Sequence, residues 1–444
     1  MLFRSEAQKK TIELLQQEIN ALKQERARQQ ALEQEVEGLK RAQRESQQLS
    51  REVEQLKATA KPKFEAGFEK WQPYIRSTDG NFRLSPVGRI QVDFRAYEEG
   101  ARNLDSSDLK NNFLVRRGRI GFLGTFYKYF DFFVEADFGQ GSAVLTDGYL
   151  DIHYWPEFRL RAGQFKVPFS YEELFSDNNI DFVERSVADN LVPSRDLGAM
   201  LHGSLFNGVI SYAGGIFNGS GQNAADTNDS KDLAARLVVA PFKQVDLAWL
   251  RNLHVGGDVT WGDEDSGQSL RGRTDGQFIF FNRINARGDR LRYSGEAACY
   301  SGPFTIYGEY IHSQEERKGL GTGGRDLPDL VGRGWYVTTT YLLTGETKVP
   351  GQTVTPTRWT SPMGPERGWG AWELAARFAQ LDFRARDITG NRVNALTLGV
   401  NWYLTPNVKW LFNFVENWFS DENRSPIKGE DASWEILTRL QLWF

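Results

Sequence analysis

Hydrophobic residues are spaced in two different ways along this chain, and the change falls near residue 60. Before it they recur at three- and four-residue intervals, at Ile12, Leu15, Ile19 and Leu22, then at Leu39, Ala42, Leu49, Val53, Leu56 and Ala60, among Glu, Lys, Arg and Gln. This heptad patterning predicts an α-helical coiled coil over residues 1–60. The two registers do not match across the polar stretch from Gln24 to Glu35, so a disturbed supercoil or a break near Gly38 is expected. Lys61-Pro62 should end the helix, because the residue before a proline is pushed out of the α region.

After residue 63 the period becomes two. Ile90, Val92, Phe94 and Ala96 alternate with Gln91, Asp93, Arg95 and Tyr97; Phe130, Phe132, Val134, Ala136 and Phe138 alternate with Asp131, Phe133, Glu135 and Asp137. Segments of this kind, about ten residues long, recur to the end of the chain. They predict an all-β domain over 87–444, with 61–86 as a linker holding a short β-hairpin. Sixteen strands are expected. Tight turns follow the even-numbered ones, at Thr125 to Tyr127, Pro156-Glu157, Asn207-Gly208, Ser301 to Pro303 and Thr405 to Asn407. Long connections follow the odd ones, at 98–111, 139–147, 167–196, 218–231, 263–288, 314–332, 383–391 and 420–432. Tight turns on one rim and long loops on the other suit an antiparallel transmembrane β-barrel, with 345–368 as the one long connection on the short-turn side.

Composition narrows the choice. Only Gly38 of the 43 glycines and Phe3 of the aromatic residues fall within the first 60 positions, so two physically different parts are joined. The single cysteine, Cys299, excludes a disulfide framework or a multi-Cys zinc site, and His153, His202, His254 and His312 have no metal-binding spacing. No metal or other cofactor is expected. No apolar run of about 18 residues could cross a membrane as a helix. No charged-then-apolar leader precedes the polar start at Ser5, so the compartment is not written at the N-terminus. A mean hydropathy of −0.51 is compatible with a barrel, whose strands turn only alternate residues to lipid. The net charge of −4 gives no reason to expect a nucleic-acid partner. Since the first 60 residues hold 11 basic and 10 acidic side chains, the negative balance belongs to the barrel segment. Strand-end aromatics at Tyr97, Trp155, Trp261, Tyr403, Trp410 and Trp443 fit interfacial girdles. Trp434, Ile436, Leu440, Leu442 and Phe444 share a face of the last strand, and its terminal Phe444 is a candidate assembly signal.

Seven stretches resemble the phosphate-selective porin O/P family of outer-membrane channels. They are GRIQVD at Gly88–Asp93, RRGRIGFLG at Arg116–Gly124, LRAGQFKVPFS at Leu160–Ser170, ERS at Glu184–Ser186, GWYVTTTYLLTGE at Gly334–Glu346, GAWELAAR at Gly370–Arg377 and LGVNWYLTPNVK at Leu398–Lys409. The resemblance implies a sixteen-stranded, usually trimeric barrel in the outer membrane of a Gram-negative cell, with a loop folded into the lumen and solutes diffusing passively. It also places the helix in the periplasm, because the first strand starts and the last strand ends at the short-turn rim. There the helix would trimerise the protein or meet a periplasmic or cell-wall partner.

Selectivity in such a channel depends on the charges lining its narrowest part. The loop at 167–196 is the expected constriction, with Glu172, Glu173, Asp177, Asp181, Glu184, Arg185, Asp189, Arg195 and Asp196. Arg117 and Arg119 share one face, as do Arg159 and Arg161, with Lys166 nearby; guanidiniums two residues apart can offer an anion successive bidentate partners. Arg116 faces the other way unless a bulge turns all three arginines inward. By the resemblance, these residues would draw anions such as phosphate through the lumen. Equally, each arginine could form a lumen salt bridge to Asp93, Glu135, Asp137 or Asp151. Two other classes compete: an enzyme, for which no nucleophile setting such as GxSxG exists, and a structural tether presenting the coiled coil from a plugged barrel.

Overall fold

The computed structural model describes residues 3–60, 63–69, 71–103, 109–226, 228–247, 249–265, 269–360 and 368–444. The chain divides into two units at Lys63. The first is one helix, Phe3–Ala60, of 58 residues, about 87 Å long at the α-helical rise. It passes through Gly38 without the expected break. A helical glycine costs only about 1 kcal/mol relative to alanine, and the flanking Glu37, Leu39 and Lys40 are sound helix formers. Ile12, Leu15, Ile19, Leu22, Leu39, Leu49 and Val53 lie 41–66% exposed, so within this unit the helix's apolar stripe is uncovered. Lys61 and Pro62, expected to stop the helix, fall outside the described residues.

In the second unit a hairpin of Phe64–Glu69 and Gln72–Ser77 pairs with the foot of the first barrel strand, Ile75 opposite Leu84. Among the described residues, sixteen antiparallel strands then form a closed barrel. In order they are Phe82–Tyr97, Asn112–Phe126, Phe130–Asp137, Val144–Trp155, Phe158–Lys166, Arg195–Leu205, Ile210–Phe217 and Asp232–Val239, then His254–Glu264, Gly288–Ser301, Phe304–Arg317, Leu327–Leu342, Ala371–Ala385, Ile388–Thr405, Val408–Phe419 and Ala432–Trp443. The last strand closes on the first with Leu440 opposite Val92 and Leu442 opposite Ile90. Terminal Phe444 extends the seam by exchanging two backbone hydrogen bonds with Gly88, at 3.0 and 3.1 Å.

Burial is the reverse of that in a water-soluble protein. Arg439 and Arg377 are 0% and 1% exposed, whereas Phe113 and Leu150 are 77% and 64% exposed. Period-two alternation explains this: polar side chains face an enclosed lumen and apolar ones a surrounding that must itself be apolar. Trp372 and Trp402 stack at 4.9 Å near the short-turn rim, with Trp410 beside them. Trp155, Trp261 and Trp410 point outward as expected of a girdle, but two other aromatics do not. Tyr403 is buried with its hydroxyl on Glu373, and Tyr97 donates inward to the Gly276 carbonyl, since each ends a lumen-facing row.

The rims differ from expectation in two places. Residues 386–387, expected within a long loop, form a two-residue turn between strands of 15 and 18 residues. The polar run from Arg384 to Asp387 belongs to a long hairpin, braced by Arg317 Nη1 on Asp387 Oδ1 at 2.7 Å. Conversely, 240–253 joins a second long connection, 343–370, on the short-turn rim.

Candidate functional site

The lumen is built around the chain between the fifth and sixth strands. After Lys166 it turns inward at Pro168, and Ser170, at φ +71°, caps a short helix, Tyr171–Leu174. Two carboxylates on the wall fix this turn: Asp258 Oδ2 accepts from Ser170 N–H at 2.9 Å, and Glu309 Oε2 accepts from Ser170 Oγ at 2.9 Å. Asp258 and Glu296 also take the two arms of Arg236. This explains the acidic trio Asp258, Glu296 and Glu309, whose oxygens lie within 4.8 Å of one another.

Beyond the short helix the loop crosses to the opposite wall. Lys409 Nζ donates to Ile180 O (2.8 Å), Asn401 Nδ2 to Asp181 O (2.9 Å), and Val183 N to Asn413 Oδ1 (2.7 Å). Arg377 reaches Glu172 at 3.1 Å and Asp275 at 2.8 Å, over the Phe182 ring. Val183, Val187, Ala188 and Leu191 then pack against Tyr307, Ile311, Tyr336, Leu381, Ala395 and Leu437. Part of the lumen is therefore filled by an apolar contact, which strand alternation alone does not anticipate, and a polar cavity of about 210 Å³ bordered by Arg116, Arg117, Glu184 and Asp275 lies beside it.

The first two strands carry a bulge. Gln91 pairs with Arg117 but Val92 pairs with Val115, leaving Arg116 as the extra residue. A bulge reverses the facing order, so Arg116, Arg117 and Arg119 all reach the lumen while Val115 and Phe113 point out. Each arginine meets an acid of the loop or a neighbouring strand. Arg116 and Arg95 both reach Glu184 Oε1 at 2.7 Å, and Arg439 approaches it at 3.3 Å. Arg117 lies 3.2 Å from Asp177 and Arg119 lies 3.0 Å from it; Arg119 also bonds Asp137 at 2.7 Å. Burial alone would raise the Asp177 carboxyl, but the guanidiniums of Arg117, Arg185 and Arg119 outweigh it and hold Asp177 well below the carboxylate range. Glu184 is likewise buried and is held well below that range by Arg116, Arg95 and Arg439.

The remaining predicted residues sit on the other side. Arg159 and Arg161 share Asp151, each with an Nε–O distance of 2.9 Å, and His202 Nε2 completes the group at 2.9 Å. His153 lies 3.1 Å from Asp131. Lys166 Nζ donates to the Phe175 carbonyl at 2.8 Å, and Arg185 ties the loop to itself through Asp177 at 2.8 Å and Glu173 at 3.0 Å. Arg195 pairs with Asp147 at 2.9 Å.

Open space remains along this wall. A cavity of about 530 Å³ is lined by five basic residues, Arg89, Arg161, Lys166, Arg195 and Arg236, against two acidic ones, Asp147 and Asp177. A second cavity, of about 440 Å³, lies towards the long loops, and Arg195 borders both. Sequence reading missed Arg236, Arg377, Lys409 and Arg439. The signal for Arg236 was its place opposite the outward row Leu233, Ala235, Leu237 and Val239.

A family model described as phosphate-selective porin O and P matches residues 87–444. The chain belongs to this family. It is an outer-membrane channel, and family and fold both point to a pore rather than an enzyme. Porin O of Pseudomonas aeruginosa is 24% identical over 413 residues, covering 83% of this chain and 90% of that protein. Two solved structures share the fold at low identity. A loop-deletion mutant of OmpT, an outer membrane protein of Vibrio cholerae, has a TM-score of 0.54 at 10% identity, covering 82% of this chain and all of that one. An anion-selective porin from Comamonas acidovorans has a TM-score of 0.52 at 12% identity, with the same coverage.

Proposed function

We propose that this porin passes small hydrophilic anions, inorganic phosphate among them, along the side of the lumen lined by the third to eleventh strands and by Arg89 of the first. The lining of the larger of the two cavities bordered by Arg195 carries the reading: five basic side chains against two acidic ones. Arg195, bordering both cavities, is the residue every solute on this path passes. The salt bridges temper the selectivity. Arg161 shares Asp151 and Arg236 shares Asp258 and Glu296, so the field is a modest positive bias rather than a row of free cations. Reversal potential of single channels in a KCl gradient tests this: it should fall on the anion side, and added phosphate should reduce the chloride current. A cation-side potential without phosphate block would contradict the reading.

We further propose that the helix lies in the periplasm and associates with its counterparts in a homotrimer. The first strand begins at the short-turn rim, and the helix's apolar stripe is uncovered. Three barrels side by side would hold three helices at high effective concentration. In a Cys299→Ser background, Leu22→Cys should cross-link chains in intact outer membranes, whereas cysteine at exposed Gln30 should do so much less. Equal cross-linking at both positions would argue against a seam.

A further inference from the structure

The second cavity differs chemically from the first. Four basic and four acidic side chains line it, so it has no net preference for an anion. Its floor is made by three neighbouring strands, with Thr260 opposite Arg292 and Arg290 opposite Glu315. Arg290 and Arg292 are two residues apart on one strand, yet their circumstances are unequal. Arg290 is engaged by Asp232 at 2.9 Å, by Glu264 and by the Gly219 carbonyl at 3.2 Å. Arg292 is 5% exposed, and its ion pair with Glu315 is loose, at 3.9 Å. Among the described residues its Nε has no hydrogen-bond partner, and neither does the Oγ1 of Thr260, which is 3% exposed.

A buried guanidinium without well-placed acceptors is costly, and a cavity beside it is where a ligand would supply them. Resting on the channel reading above, we propose that this cavity is a binding subsite for small dipolar solutes of the amino-acid class. The solute's carboxylate is taken by Arg292 and Thr260, and its ammonium by Glu315. The even charge of the lining favours such a solute over a simple anion, because each end finds an opposite charge and no net charge is brought in. A solute with only one of the two groups leaves either Arg292 or Glu315 unanswered.

Single-channel chloride current of the native protein, recorded with glycine, acetate, methylammonium or inorganic phosphate added at matched concentrations, tests this without a variant. Glycine should reduce the current saturably at concentrations at least about tenfold below those needed by the others, and Arg292→Gln should raise the half-blocking concentration of glycine by about tenfold or more. Acetate or phosphate acting as strongly as glycine would overturn the dipolar class. A steady chloride current with no response to glycine would overturn the site. Calorimetric titration of glycine into the detergent-extracted porin repeats the comparison without current. Glycine binding in a channel that does not conduct would uphold the site and remove the channel reading instead.

Discussion

At the residue scale, the lumen is organised by a few buried carboxylates that each gather several guanidiniums. Glu184 is the clearest, with Arg95, Arg116 and Arg439 around it, drawn from both sides of the barrel seam. Removing one partner from such a group leaves buried charge unanswered, typically at about 3–5 kcal/mol. Glu184→Gln should therefore loosen the loop, lowering the barrel's denaturation temperature and increasing current noise; an unchanged melting profile and quiet channels would refute that role. The acid response follows in sign. Asp177 and Glu184 have folded-state pKa values well below their unfolded ones, so their contribution is complete above the unfolded pKa, about 4, and is lost as pH falls below it. Gating noise should rise on acidification below about pH 4 in the native channel and change less in Glu184→Gln. None of these partnerships was legible in the sequence. Glu184 stands 89 residues from Arg95 and 255 from Arg439, and nothing local pairs them.

At the element scale, alternation made most strands and the seam readable, because one face of each must be apolar. The inward turn of Arg116, Arg117 and Arg119 needed the bulge, which the ambiguous run Phe113 to Arg119 only hinted at. The two-residue turn at 386–387 was hidden because polar residues on a strand projecting past the membrane look like a loop. Side chains in the in-folded segment were visible as a charged cluster, but the apolar contact of Val187, Ala188 and Leu191 with the far wall was not. The fifth strand both carries Arg161 and launches this segment, and Gly163 within it sits at φ +131°, where an added Cβ would lie 2.2 Å from the Gly148 carbonyl oxygen. Gly163→Ala should destabilise the barrel by at least about 1–3 kcal/mol and reduce the folded, heat-modifiable fraction on gels. Native-like folding of that variant would show that the strand tolerates a shift there.

At the scale of the whole molecule, the lumen is asymmetric inside: an apolar loop contact fills part of it, leaving beside it a polar cavity of about 210 Å³, while the two cavities bordered by Arg195 are about twice that size or more. The proposed path follows this asymmetry, beside Arg195 and away from Ala188. The sequence pointed to a pore and to the loop that narrows it. It did not say on which side of the loop the pore lies, since that depends on which wall the loop's apolar residues meet. The most direct test is access by a charged thiol reagent. In a Cys299→Ser background, cysteine is placed at Arg195 or at Ala188, and single-channel current is recorded while a negatively charged methanethiosulfonate is added. The Arg195→Cys channel should lose most of its current in stepwise events, and the Ala188→Cys channel should be unaffected. Loss of current at Ala188→Cys with none at Arg195→Cys would put the path on the opposite side of the lumen.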